Sequence, residues 1–153
     1  MEHIKPPADF SNFTDKKAVF LAGSIEMGIA MDWQTECATR LADKNILLLN
    51  PRRDDWDVNW SQSIDNQPFR EQVEWELNGL ERADLILVYF APDTKAPITL
   101  MELGLHASQK PEKIVVCCPD GYWRKGNVDI VCHRYGVRQV QTLDQLIAAV
   151  DVL

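Results

Sequence analysis

Short apolar runs alternating with helical stretches constrain this chain most. Ala18–Ala22, Ile46–Leu49, Leu85–Phe90 and Lys113–Cys118 each read as a buried strand. They stop at turn formers: Gly23-Ser24, Asn50-Pro51, Pro92-Asp93 and Pro119-Asp120-Gly121. Between them, Asp32 is placed to cap a helix from about Trp33 to Lys44. Pro68 sits at the start of another that runs to about Arg82, with Phe69, Val73, Glu76, Leu77 and Leu80 at helical spacing. Thr99-Leu100-Met101-Glu102 opens a third. Residues 122–135 show no clear period. Val137–Val140 reads as a fifth strand and Thr142–Val150 as a terminal helix. Strands alternating with helices imply a parallel sheet covered on both faces, with right-handed crossovers. The prediction is an α/β fold: a flavodoxin-like or Rossmann-like three-layer sandwich around a five-stranded, mainly parallel sheet.

With 153 residues, the chain fits one domain over 16–153 behind an N-terminal arm, 1–15. The arm carries Pro6-Pro7 and reads as extended, packed on a neighbour or disordered. A net charge of −7 argues against a nucleic acid polymer as partner, because phosphate binding is driven by Lys and Arg. Neutral ligands such as nucleosides stay open. Cys37, Cys117, Cys118 and Cys132 lack C-x-x-C spacing and read as reduced, buried residues. Adjacent Cys117 and Cys118 should point to opposite faces of their strand. The N-terminus has no apolar signal core, and no apolar run approaches the roughly 18 residues that span a bilayer. A soluble, cytoplasmic protein without membrane partners is expected.

In an open parallel sheet, ligands bind in the crevice at the carboxyl ends of the strands. The segments predicted there are Gly23–Glu26, Asn50–Asp57, Asp93 and Pro119-Asp120. They are rich in carboxylates and aromatics and contain no His, which disfavours Ser-His-Asp chemistry and histidine-rich metal sites. Asp93 and Glu102 bracket the crevice. Thr99-x-x-Glu102 fits a capping box, in which Glu102 would fold back on the helix end. Alternatively, Thr99 caps while Glu102, in the first turn, meets the positive end of the helix dipole and is held ionised as a nucleophile. Asp93 is either a turn residue or a proton donor or base-binding carboxylate. Two carboxyl groups flanking one bond are a general solution for sugar transfer.

Glu76 lies on the preceding helix, either solvated or facing the site. The loop 51–66 is long enough to be functional or mobile. Within it, Trp56 and Asp57 suit a flat nucleobase, which needs a stacking face and polar edges. A cation site at Asp54-Asp55-Trp56-Asp57 is the weaker reading. Gly23-Ser24-Ile25-Glu26-Met27-Gly28 is not a phosphate loop. Glu26 would repel phosphate, so a neutral sugar hydroxyl or base is expected there, unless the loop is simply a tight turn.

Together these segments resemble the nucleoside 2-deoxyribosyltransferase family, closest to its bacterial-type second branch. The resemblance rests on Phe20–Gly28, Asp32-Trp33-Gln34, Asn50–Asp57, Trp75–Leu80, Ala83-Asp84, Met101–Gly104 and Gly121–Asp129, and spans roughly residues 17–150. It implies a double displacement in which Glu102 attacks C1′ of a 2′-deoxyribonucleoside while the base leaves with proton help from Asp93. Glu76 matches an acidic residue that contacts sugar or base. Asn127, in one motif with Asp129, matches a residue lent to a neighbouring subunit's site, so a homo-oligomer built from dimers with shared active sites is implied. No metal or organic cofactor is expected. The chain departs from the family at Phe20, where many members carry a Tyr that steadies the nucleophile. Another donor, Tyr89 or a water, would have to replace it. Competing readings are a hydrolase of 2′-deoxynucleoside 5′-monophosphates and a non-catalytic nucleotide-binding module.

Overall fold

The computed structural model describes residues 1–25 and 31–153. Its strands are β1 (Glu2–Ile4), β2 (Lys17–Gly23), β3 (Ile46–Leu49), β4 (Leu85–Tyr89), β5 (Ile114–Cys117) and β6 (Arg138–Val140). Its α-helices are α1 (Trp33–Arg40), α2 (Gln67–Arg82), α3 (Pro97–Ala107), α4 (Lys125–Tyr135) and α5 (Leu143–Ala148). Every pairing is parallel, in the order β1-β3-β2-β4-β5-β6. The last five strands in that order follow the flavodoxin-like pattern. Its chain reversal, and hence its ligand crevice, lies between β2 and β4.

Strand alternation divides the core. Ala18, Phe20, Ala22, Ile86, Val88, Val116 and Cys118 pack with residues of α2, α3 and α4. Val19, Leu21, Leu87, Tyr89 and Cys117 face the other way, against Trp33 and Cys37 of α1 and Leu146 and Ile147 of α5. Cys117 and Cys118 therefore do occupy opposite faces, and all four cysteines are free and buried. Local chemistry sets the helix starts. Asp32 Oδ1 accepts from Thr35 N at 3.1 Å, and Asn66 Oδ1 accepts from Phe69 N at 3.0 Å beside Pro68.

Two expectations change. The sheet has six strands, because residues 2–4 of the arm add an edge strand to β3. The arm continues along its own chain: Trp75 Nε1 donates to the Ala8 carbonyl at 2.8 Å, and the Phe10 ring meets Trp75 edge-on at 5.3 Å. Residues 125–135 form a helix that the sequence hid, since Val128 and Cys132 are its buried residues. Two apolar positions make too thin a stripe to read as a period. No helix among the described residues is long and apolar enough to cross a membrane.

Candidate active site

The crevice is built first from the end of β2. A Cβ on Gly23 would lie 2.5 Å from the Trp33 ring and from the Tyr89 carbonyl, so only glycine lets β2, β4 and α1 approach this closely. Ser24 follows, fully buried. Its backbone N–H donates to the Tyr89 carbonyl at 3.0 Å. Its Oγ accepts from Ala91 N at 3.1 Å and lies 2.7 Å from Thr94 Oγ1, which donates to the Ala91 carbonyl. Ser24 thus stitches the β4–α3 loop to the sheet. From the other side, Tyr122 Oη (2.6 Å) and Trp123 Nε1 (3.1 Å) both donate to the Lys95 carbonyl. Between these anchors, Asp93 and Ala96 adopt φ of 62° and 44°. Left-handed non-glycine residues are strained, and such strain persists where the surroundings over-determine it. Asp93 stands exposed on this loop.

The loop delivers α3, and here the sequence reading needs correction. The helix begins at Pro97, and its cap position is Ala96, which offers no side-chain bond. Thr99 is therefore inside the first turn rather than capping it, and Glu102 lies in the second. No capping box forms, and the dipole, which fades within the first turn, is not what governs Glu102. Burial governs it instead. Glu102 is 8% exposed, closely packed in a setting it shares with Ala22, Leu80, Val88 and His106. Burial, and secondarily the charge of Glu76, pushes its carboxyl up to about 8. Half-buried Glu76 is raised to about 7, again by burial, against the opposing pull of a hydrogen bond from Gln72.

The fold thus brings together Glu76 of α2 and Glu102 of α3. Of the two, Glu102 is held higher, so it is the carboxyl that keeps its proton longer as pH rises. Tyr89 cannot replace the missing tyrosine hydroxyl at Phe20. It belongs to the opposite face of the sheet, ringed by Trp33 at 5.4 Å, whereas Phe20 shares the face of α2 and lies against Gly79.

A family model described as nucleoside 2-deoxyribosyltransferase like matches residues 16–122. That span runs from β2 through Glu76, the 91–96 loop and Glu102. The chain belongs to the nucleoside 2-deoxyribosyltransferase-like family. No curated protein matches it. The family match stops at Tyr122, so Asn127 and Asp129 lie beyond it.

The remaining expected residues of this family member scatter. Glu26 lies outside the described residues. Trp56 is half-buried and packs edge-on against Trp60 at 5.2 Å and Phe69 at 6.4 Å, so much of its ring serves an aromatic cluster. Asp57 is exposed and accepts from Asn59 N and Nδ2, both at 2.9 Å. The neighbouring carboxylates diverge, Asp54 to Lys5 at 2.7 Å and Asp55 to Arg53 at 2.7 Å. No set of three His, Cys, Asp or Glu side chains among the described residues is arranged to hold a metal. Asn127 is exposed on the first turn of α4. Asp129 accepts from Lys125 at 3.1 Å and from Gln139 at 2.9 Å, which occupies it within the chain.

Three further groups escaped the sequence. His3, on the edge strand, reaches Asn50 Nδ2 at 3.2 Å, so the rim is not free of histidine. His106 lies one turn beyond Glu102, buried, with neither ring nitrogen hydrogen-bonded among the described residues. Gln72 lies one turn before Glu76 and bonds to it. The i, i+4 spacing of Gln72 and Glu76, and of Glu102 and His106, was the signal available.

Proposed function

We propose that the protein transfers the 2-deoxyribosyl group from one nucleobase to another through a covalent deoxyribosyl-glutamate. The observation that carries this is that half-buried Glu76 of α2 and buried Glu102 of α3 lie close enough for the charge of one to raise the proton affinity of the other. Family membership supports it. In the first half-reaction, the proton that burial holds on Glu102 passes to Glu76, and the freed Glu102 carboxylate oxygen attacks C1′. The N-glycosidic bond breaks, its electron pair stays with the base nitrogen, and the proton held by Glu76 goes to the departing base. In the second, the nitrogen of a new base attacks C1′, the ester to Glu102 breaks, and the proton lost by that base returns to Glu76. Two inversions at C1′ retain configuration.

The proton role moves from Asp93 to Glu76 because Glu76 is the carboxyl that Glu102 feels. Exposed Asp93, on its strained loop, keeps the role of a base-binding carboxylate. Gly23 and Ser24 form the floor, Trp56 and Asp57 border the base, and Asn127 reaches a neighbouring subunit's site in a dimer-based oligomer. Glu26 completes the sugar contacts.

Incubation with 2′-deoxyinosine and free adenine tests this. New deoxyadenosine with retained configuration is the expected product. Release of hypoxanthine without exchange, particularly from the 5′-monophosphate, would replace transfer by hydrolysis. Ribonucleosides should react much more slowly, since a 2′-hydroxyl withdraws electrons from an oxocarbenium-like transition state. Equal rates on adenosine and deoxyadenosine would contradict the mechanism.

A further inference from the structure

Gln72 is nearly fully buried on α2, one turn before Glu76. Its Nε2 donates twice, to the Pro51 carbonyl at 2.9 Å and to Glu76 Oε1 at 2.7 Å. Pro51 is the second residue after β3. The amide therefore ties a carboxyl on a helix to the sheet's own strand end, across two layers of the fold. Its orientation has no alternative: rotating it would set Oε1 against two acceptors. The consequence is that Oε1 is buried with no donor among the described residues. An unsatisfied buried acceptor is costly, and such groups call for an explanation beyond packing.

We propose that Gln72 is a positioning residue for proton transfer, clamping Glu76 through Oε1 so that Oε2 is the atom that carries the proton to and from the nucleobase. The clamp suits both states of the reaction. Ionised Glu76 accepts through a charged Oε1. Protonated on Oε2, it still accepts through a carbonyl-like Oε1. The side chain need not turn as the proton leaves and returns, which avoids reorganising a long side chain at each half-reaction. The donated bond also favours ionised Glu76, against its burial. Glu102 of α3 is the titratable group that the Glu76 charge influences, with His106 one turn further along. From the 51–66 loop, Arg52 turns to Asp32 and Arg53 to Asp55 and Glu71. This inference rests on the transferase reading for its chemistry, while its geometry stands alone.

The test uses the full chain with glutamate labelled at the carboxyl carbon and glutamine at the side-chain nitrogen. In the wild type, the Gln72 Nε2 protons should shift with pH together with the Glu76 carbon. In Gln72→Met, the Glu76 ionisation should move up by about 0.7 pH unit, the worth of one ordinary hydrogen bond. The alkaline limb of the base-exchange profile should follow it by the same amount. In a Glu76→Gln background, Gln72→Met should leave the profile in place. A Gln72 amide that stays flat from pH 5 to 9 overturns the clamp without any variant. A rate loss equal at every pH, with no shift, overturns it in favour of packing. Absence of exchange in the wild type would instead count against the transferase reading and leave the titration to judge the clamp.

Discussion

Two loops border the crevice and are built on opposite plans. The short one, 91–96, is tied to the scaffold at both ends, by Ser24 beneath it and by Tyr122 and Trp123 beside it. Those ties hold two left-handed residues and the start of the helix that carries Glu102. The long one, 51–66, is held largely by itself. Arg53 bonds Asp55 and lies 4.9 Å over the Trp60 ring, Asp57 bonds Asn59, and Trp56 packs on Trp60. Its ties outward are spread along it, among them Lys5 to Asp54, Arg52 to Asp32, Arg53 to Glu71, the Pro51 carbonyl to Gln72, and Trp56 against Phe69. Groups that make or break bonds need positions fixed to a fraction of an ångström, whereas a surface that selects a base tolerates adjustment. The short loop fits the first task and the long one the second.

The contrast is tested most severely at Glu102. Glu102→Gln removes the attacking oxygen but keeps the shape, so exchange should fall at least about 10,000-fold while the fold persists. Steady-state exchange beside a thermal melt measures both, and near-normal turnover would remove the nucleophile.

Stability against pH gives the next largest effect. Glu76 and Glu102 ionise in the folded protein near 7 and 8, above the 4.5 of a free carboxyl. Between about pH 4.5 and 8 the native state holds protons that the unfolded chain has released, so stability declines as pH rises through this window. It levels off once the folded pair has ionised too. The slope is about 1.4 kcal/mol per pH unit for each proton held. Urea melts should show this decline, and Glu76→Gln with Glu102→Gln should flatten it. Replacing Asp54, Asp55 and Asp57 of the long loop by Asn should not. If it does, the electrostatic difference between the two regions is lost.

Ser24→Ala strips the acceptor from the buried Ala91 N–H and should cost about 1–3 kcal/mol, read as a lower Tm. Activity should fall with it as the short loop loosens. Trp56→Ala breaks the aromatic cluster of the long loop. It should change the ratio of purine to pyrimidine exchange by about ten-fold, with a smaller effect on the preferred base, as pocket contacts do. A larger loss of turnover at Trp56 than at Ser24 would reverse the assignment of the loops.

The layered sheet was legible because its evidence is local. Apolar runs ending in Gly-Ser, Asn-Pro and Pro-Asp, with a cap at Asp32, carry their meaning within a few residues. The helix at 125–135 was not, since only Val128 and Cys132 are buried along it. At Glu102 the local physics was misjudged. Thr99-x-x-Glu102 satisfies the capping pattern, yet Ala96 in a left-handed turn starts the helix earlier. That conformation is imposed by Ser24 and by Tyr122 and Trp123, far away in the chain.

Residue order alone therefore settles the fold class and the strand ends at which a parallel sheet turns back. Packing decides which carboxyls influence each other's proton affinity. Asp93 lies closer to Glu102 in sequence, but Glu76 is the one whose charge reaches it, because α2 and α3 cover the same face of the sheet. Proton affinity depends on burial and on charges brought near by folding, and neither is a property of a residue's neighbours along the chain.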